Sequence, residues 1–331
     1  MLLKTFLIAS VASCATARVS LAGINIAGFE FGCDNHDAFY TQSRVTPPLR
    51  SPAQPGHADG VGQMQHFVTD DGMNVFRLPV CWQYLVDSKL GGPLDKVNFG
   101  RYDQLVQACL ETGAHCIIDI HNYARWEGSV IGQSDNVTNQ DFASIWSHLG
   151  AEYATSSRII FGIMNEPHNL DINAWAASAQ AAVTAIRTAG ATSQLVLLSG
   201  TVYDSLGAFI SDGSATALSA YLDSDTTGKS AECASNGIDN LKKLTAWLRQ
   251  NNRKALLTET GGGSTSSCYN DVCAELDWIN NNAADVIIGW VGWAAGAFST
   301  SYPLSETPTQ DSNGVWNDTG IVANCIAGKF H

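Results

Sequence analysis

Glu166 and Glu259 each stand at the end of an apolar run, in Ile159-Ile160-Phe161-Gly162-Ile163-Met164-Asn165-Glu166-Pro167 and in Ala255-Leu256-Leu257-Thr258-Glu259-Thr260-Gly261-Gly262. A buried parallel strand reads as a continuous apolar run, so an acid that closes one falls where the sheet opens to solvent and ligand. The C-terminal strand ends of a β/α barrel converge on one face. Two carboxylates 93 residues apart in sequence can therefore meet there, and such a pair suits glycosidic bond hydrolysis, one carboxyl protonating the leaving oxygen while the other attacks the sugar.

The neighbours of these acids fit that chemistry. Asn165 precedes Glu166 and Pro167 follows it, which ends the strand sharply and restricts the backbone before the proline. The result is a rigid acid beside an amide able to bond a sugar hydroxyl next to the reacting carbon. Glu259, framed by Thr258 and Thr260 and followed by three glycines, has the setting of an exposed nucleophile. Arg77 interrupts the run Asn74-Val75-Phe76-Arg77-Leu78-Pro79, and a cation facing a barrel interior requires a carboxylate partner. Glu259 is the natural one, although a structural ion pair elsewhere is the alternative. His121, Asn122 and Tyr123 close a third run and offer hydrogen bonds to sugar hydroxyls; a satisfied core histidine is the rival reading of His121. Trp82, Tyr84, Trp126, Tyr203, Trp290 and Trp293 lie after or near strand ends, where flat rings can stack on pyranose faces, and Trp293 is the best placed. His57 and His66 have no carboxylate motif around them, and Asp70-Asp71 reads as a capping or solvated turn.

The elements that position these residues are an alternation of strand-like and helix-like segments. The strands are Leu21–Ala27, Asn74–Val80, His115–His121, Arg158–Glu166, Gln194–Gly200, Lys254–Thr260 and Val286–Trp293. Tyr102–Thr112, Gln140–Tyr153, Ile172–Ala189, Ile238–Gln250 and Asp271–Asn282 have the three-to-four spacing of amphipathic helices. This order predicts parallel βαβ units. A closed barrel needs eight strands and the count is seven. The gap lies in the 53 residues between Gly200 and Lys254, which read as a helical piece, Ser205–Ala220, a polar loop, Asp223–Asn236, and a second helix. Either the barrel is incomplete or its strand is improvised around Tyr221-Leu222.

Bulk properties set the limits. A chain of 331 residues with 45% hydrophobic content can bury a large core. Residues 1–17 have the grammar of a secretory signal, with Lys4, an apolar stretch from Thr5 to Ala12, and Ala15-Thr16-Ala17 as the cleavage site; the mature chain, 18–331, reads as a single catalytic domain. Of nine cysteines, Cys14 falls in the leader, and an even remainder in an exported chain favours disulfides over metal ligands. Asn136-Val137-Thr138 and Asn317-Asp318-Thr319 are glycosylation sequons. A net charge of −13 disfavours nucleic acid and anionic membranes as partners and leaves a neutral polymer compatible. No zinc grammar is present, so no metal is expected.

The chain resembles the secreted fungal endo-β-1,4-glucanases of glycoside hydrolase family 5. The likeness runs from Gly23-Ile24-Asn25-Ile26-Ala27-Gly28-Phe29 through Asp59-Gly60-Val61-Gly62-Gln63-Met64-Gln65-His66-Phe67, Arg77-Leu78-Pro79, Asp119-Ile120-His121-Asn122-Tyr123-Ala124-Arg125-Trp126 and Gly162-Ile163-Met164-Asn165-Glu166-Pro167-His168 to Leu257-Thr258-Glu259-Thr260-Gly261-Gly262-Gly263. It implies a (β/α)8 TIM barrel and a retaining cellulase that needs no cofactor and acts on cellulose or β-glucan chains. Glu166 would be the acid/base, Glu259 the nucleophile, and Arg77, His121, Asn165, Tyr221 and Trp293 match supporting residues. The family's sixth strand carries a His-x-Tyr motif before a Leu-Asp-Ser-Asp loop. Here Tyr221-Leu222-Asp223-Ser224-Asp225 is present, Ser219 stands where the His belongs, and roughly 15–20 residues, about one strand and its lead-in, are missing. The expected fold is thus a barrel lacking most of its sixth strand, with weakened or abolished turnover. Tyr203 replaces a common Trp. A Cys usual shortly after Cys33 is absent while Cys81 is extra, which a Cys33–Cys81 bridge would explain; the resemblance pairs Cys109–Cys116, Cys233–Cys268 and Cys273–Cys325. A β-mannanase or β-1,3-glucanase on the same barrel, and a catalytically silent glucan-binding protein, are the competing functions. A monomer is the default.

Overall fold

The structure is a computed structural model and describes residues 18–49, 58–205, 207, 208, 210, 217–219 and 230–330. The expected leader 1–17, His57 and Tyr221 lie outside the described residues.

Eight parallel strands form one sheet: β1 Leu21–Ala27, β2 Val75–Val80, β3 His115–Ile120, β4 Ile159–Gly162, β5 Leu195–Leu197, β6 Ala217–Ser219, β7 Ala255–Thr260 and β8 Ile287–Gly296. Their order across the sheet is β5-β4-β3-β2-β1-β8-β7-β6. Leu21, Val75, Ile117, Ile160, Leu256 and Val291, one from each of six strands, pack together in a single buried cluster, with Leu197 of β5 against it. Residues from strands that far apart in the sheet can touch only if the sheet curls, so this cluster is the filled interior of a barrel. A second, larger core lies between the sheet and the helices α1 Gly60–Thr69, α2 Trp82–Leu85, α3 Lys96–Glu111, α4 Asn139–Glu152, α5 Ile172–Thr188, α6 Ile238–Gln250 and α7 Ser266–Asn282. Helix starts follow from side-chain caps: Asp59, Asp95, Thr138, Asp171 and Thr265 each accept from a backbone N–H of the first turn, and Thr138 with Asp141 completes a capping box.

The structure corrects the strand count. Ser205–Ala220 is not one helical piece, because Ala217–Ser219 is a strand that pairs in parallel with β7, Ala217 with Leu256 and Leu218 with Leu257. The sixth strand therefore exists as three residues ahead of Tyr221, too short to carry a periodic signal. No pairing joins β5 to β6 among the described residues, so the barrel is open along that seam. β5 is also cut to three residues, and Leu195 on it is exposed. Helices α1 and α2, missing from the sequence expectation, cap short apolar stretches that lie against β1 and α3.

A further correction concerns His66. It lies buried between Asp70, 2.6 Å from Nδ1, and Asp318, 2.9 Å from Nε2, with Asp71 at 3.8 Å. Asp318 comes from a segment 252 residues away, which no local motif could reveal. Four disulfides, Cys33–Cys81, Cys109–Cys116, Cys233–Cys268 and Cys273–Cys325, are the pairs expected.

Candidate active site

Strand alternation places the polar side chains that interrupt the apolar runs on the barrel's inner face. In β2, Val75 belongs to the interior cluster and Phe76 to the outer core, so Arg77 faces inward. In β3, Ile117 is interior and Ile118 and Ile120 are outer, which turns Asp119 and then His121 inward. Asn25 follows Leu21 in β1 by the same period. At β7 alternation breaks. Leu218 pairs with Leu257 but Ser219 pairs with Glu259, so Thr258 is the extra residue of a bulge, and a bulge re-aims the next side chain. Glu259 then points at Arg77, while Thr260 turns outward, where its hydroxyl donates to Glu275 of α7 at 3.1 Å. Asn25 holds this irregularity by donating to the carbonyls of Thr258 (3.0 Å) and Gly292 (2.9 Å).

The Arg77 guanidinium is the hub. It is 3% exposed and donates to the Glu259 carboxylate, to Asn25 Oδ1 at 3.0 Å and to Asn165 Oδ1 at 2.7 Å, and it pairs with Asp119 at 2.9 Å. Glu259 is fully buried. Asn165 passes its amide proton to His121 Nε2 at 3.1 Å, and His121 Nδ1–H donates to Asp119 Oδ2 at 2.8 Å. The His121 ring stacks on Trp293, ring centres 5.4 Å apart and planes 12° apart. Seven side chains from β1, β2, the β3 end, the β4 end, β7 and β8 thus form one connected array. A small pocket among them is lined by Arg77, Asp119, Asn165 and Asp204, with Leu197 of β5 and Thr258 of β7.

Glu166 differs from expectation in its backbone. β4 ends at Gly162, and Glu166 sits four residues later with φ of 40°, in the left-handed region that is strained for a residue with a Cβ. Two irregular bonds hold the segment: Ile163 N–H to the Leu197 carbonyl at 3.2 Å and Asn165 N–H to the Ile120 carbonyl at 2.8 Å. Burial, then the Glu259 charge, raise the Glu166 carboxyl well above the usual carboxylate range against the opposing pull of Arg77. One acid is therefore biased toward its protonated form near another that is paired with a cation.

Other expected site residues are placed differently. Asn122 is fully buried and its amide is occupied by the protein: it donates to Gln83 Oε1 (2.7 Å) and the Arg125 carbonyl (3.2 Å), and accepts from Trp82 N–H (2.8 Å). It shapes the loop after β3 from below the site. Of the six aromatics, Trp82, Tyr84 and Trp290 are core residues with no exposed surface. Trp126 is nearly buried against Trp82. Tyr203 is 37% exposed and stacks on His168 at 4.2 Å. Asn25 and Asp119 were not among the expected site residues, although each interrupts an apolar strand as Arg77 does, and that signal was available. Two further buried acids sit nearby: burial raises Glu30 to about 8 and lifts Asp204, which accepts from Gly200 N–H, well above the carboxylate range.

Residues 51–299 match the family model "Cellulase (glycosyl hydrolase family 5)". The chain is 54% identical over 333 residues to endoglucanase EG-II from a strain of Hypocrea jecorina, an alignment covering 95% of this chain and 79% of that protein. It is 43% identical to endoglucanase 1 of Saitozyma flava, covering 92% of this chain and 88% of that one. The crystal structure of Cel5A (EG2) from Hypocrea jecorina superposes with a TM-score of 0.88 at 52% identity, covering 94% of this chain and 99% of that chain. With a family match over most of its length and a relative of 54% identity aligned over 95% of it, the chain belongs to glycosyl hydrolase family 5.

Proposed function

We propose that the protein is a secreted, monomeric endo-β-1,4-glucanase that cleaves internal bonds of cellulose and related β-glucans with retention of configuration. The observation that carries the reading is the unequal treatment of two acids, Glu259 paired with Arg77 and Glu166 with its pKa pushed up by burial and by the Glu259 charge. Environments that separate two carboxyls in this way assign their roles.

In the first step a Glu259 carboxylate oxygen attacks the anomeric carbon. The bond from that carbon to the leaving sugar's oxygen breaks, and Glu166 gives that oxygen its proton. Arg77 and Asn25 fix the direction of attack by holding Glu259. In the second step Glu166, now a carboxylate, takes a proton from water, the water oxygen bonds to the anomeric carbon, and Glu259 departs as a carboxylate. Asn165 and His121 are oriented by Arg77 and Asp119 to bond sugar hydroxyls, and Trp293 offers a stacking face; Tyr221 is assigned the same task by its motif. These residues need no cofactor for either step.

Secretion is supported by the leader grammar of residues 1–17, by two sequons and by four disulfides, and we assign residues 18–331 to the catalytic domain. Among the described residues no helix is long and apolar enough to cross a membrane. The test is incubation of purified mature protein with carboxymethylcellulose, mannan and a β-1,3-glucan, reading viscosity and reducing ends. A fall in viscosity with carboxymethylcellulose alone is expected; preference for either other polymer, or cello-oligosaccharide binding without turnover, would reverse the assignment.

A further inference from the structure

Glu306 has no exposed surface, and neither of its carboxyl oxygens has a hydrogen-bond partner among the described residues. Burial alone raises it well above the usual carboxylate range, which favours its neutral form. Stability does not explain it, because a buried polar group with no partner is disfavoured against an apolar side chain of the same shape.

Its place in the fold does. The loop after β8 returns so that the Glu306 N–H donates to the Ala294 carbonyl at 2.8 Å, immediately after Trp293. The carboxyl lies against Gly292, immediately before Trp293: a methyl group at Gly292 would stand 2.1 Å from Oε2. A methyl at Gly261 would stand 3.0 Å from Oε1 and 3.1 Å from the Trp293 carbonyl oxygen, so the acid, Gly261 and the Trp293 backbone meet at one point. Gly261 lies two residues beyond Glu259. The space that two glycines leave is filled by this carboxyl, on the two strands that bear the candidate nucleophile and the candidate sugar platform.

We propose that Glu306 is a positioning residue for Trp293, its carboxyl propping Gly292 and Gly261 and thereby setting the plane on which a glucosyl ring stacks. The inference rests on the sugar-site reading of Trp293. Calorimetric titration with cellopentaose, in a Glu166→Gln background that blocks turnover, tests it. Removal of the prop in Glu306→Ala should raise Kd about fivefold or more, the scale of one lost aromatic contact, while Glu306→Gln, alike in size and neutral, should stay within about twofold. A purely structural role would lower the melting temperature of Glu306→Ala without moving Kd, and a Kd within about twofold of the parent overturns the proposal. If Glu306→Ala does not fold, Glu306→Asp carries the test: a rise of about threefold is expected and an unchanged Kd overturns it. Absence of cellopentaose binding by the parent would instead overturn the sugar-site reading, and the inference with it.

Discussion

At the scale of single residues, catalysis hangs on which carboxyl keeps its proton. In the proposed mechanism Glu166 must be protonated to release the leaving sugar, and burial together with the Glu259 charge pushes its pKa well above the usual carboxylate range, toward that state. Activity should accordingly fall as pH rises through the raised Glu166 pKa, because the acid form is lost in that direction. Glu166→Gln should lower kcat on unactivated glucan by about 10²–10⁴-fold, and the alkaline fall should vanish from what remains; aryl glycosides with good leaving groups should suffer much less in the first step. A Glu166→Gln profile that keeps the alkaline limb would assign that limb to another group. Glu166, Glu259 and Arg77 stood out as candidates because each breaks an apolar run in the sequence. Asn25 and Asp119 break one equally, and were passed over because they lack a role in bond cleavage itself; their work is to hold Arg77, Glu259 and His121.

At the scale of elements, the open seam between β5 and β6 is the distinctive feature. Both edges are three residues long, and strands with a free edge open locally at low cost. Amides of Leu195–Leu197 and Ala217–Ser219 should exchange at least about 100-fold faster than those of Phe76 and Ile117 in the central strands β2 and β3. Grafting roughly 15–20 residues, one strand and its lead-in, ahead of Tyr221 should slow that exchange and raise kcat/KM on carboxymethylcellulose. Equal protection at the edges in the unaltered protein would show the seam to be closed. The shortage was readable from spacing, since the 53 residues read in sequence as two helical stretches with no buried run. The three-residue strand was not, because a segment so short has no period and is recruited by the free edge of β7.

Across the whole molecule, the chain ends are tied by contacts that skip most of the sequence. His66 of α1 is clamped to Asp318 near the C-terminus. Burial lowers its pKa, but hydrogen bonds to Asp318 and Asp70 outweigh it and bring the imidazole up to about 9. A folded pKa raised above the ordinary value of 6.5 means that the contribution is full below about pH 6.5 and is lost as pH rises through about 9. His66→Gln should cost on the order of 1–3 kcal/mol at pH 6, discounted because the Asp70 partner is largely exposed, and the deficit should narrow by pH 9.5. Melting curves at the two pH values check this. A deficit independent of pH would assign the loss to packing.

The sequence by itself determined the barrel class, four of its eight strands to within a residue at each end, the two candidate acids and the shortage at the sixth strand, because each is written as a local period or as a break in one. Tertiary structure alone decided the rest. The bulge at Thr258 that turns Glu259 inward, the left-handed backbone at Glu166, the burial of Trp82, Tyr84 and Trp290, and the His66–Asp318 clamp all depend on which distant strands become neighbours when the sheet curls. Curvature is a property of the assembled sheet and leaves no period in any one strand.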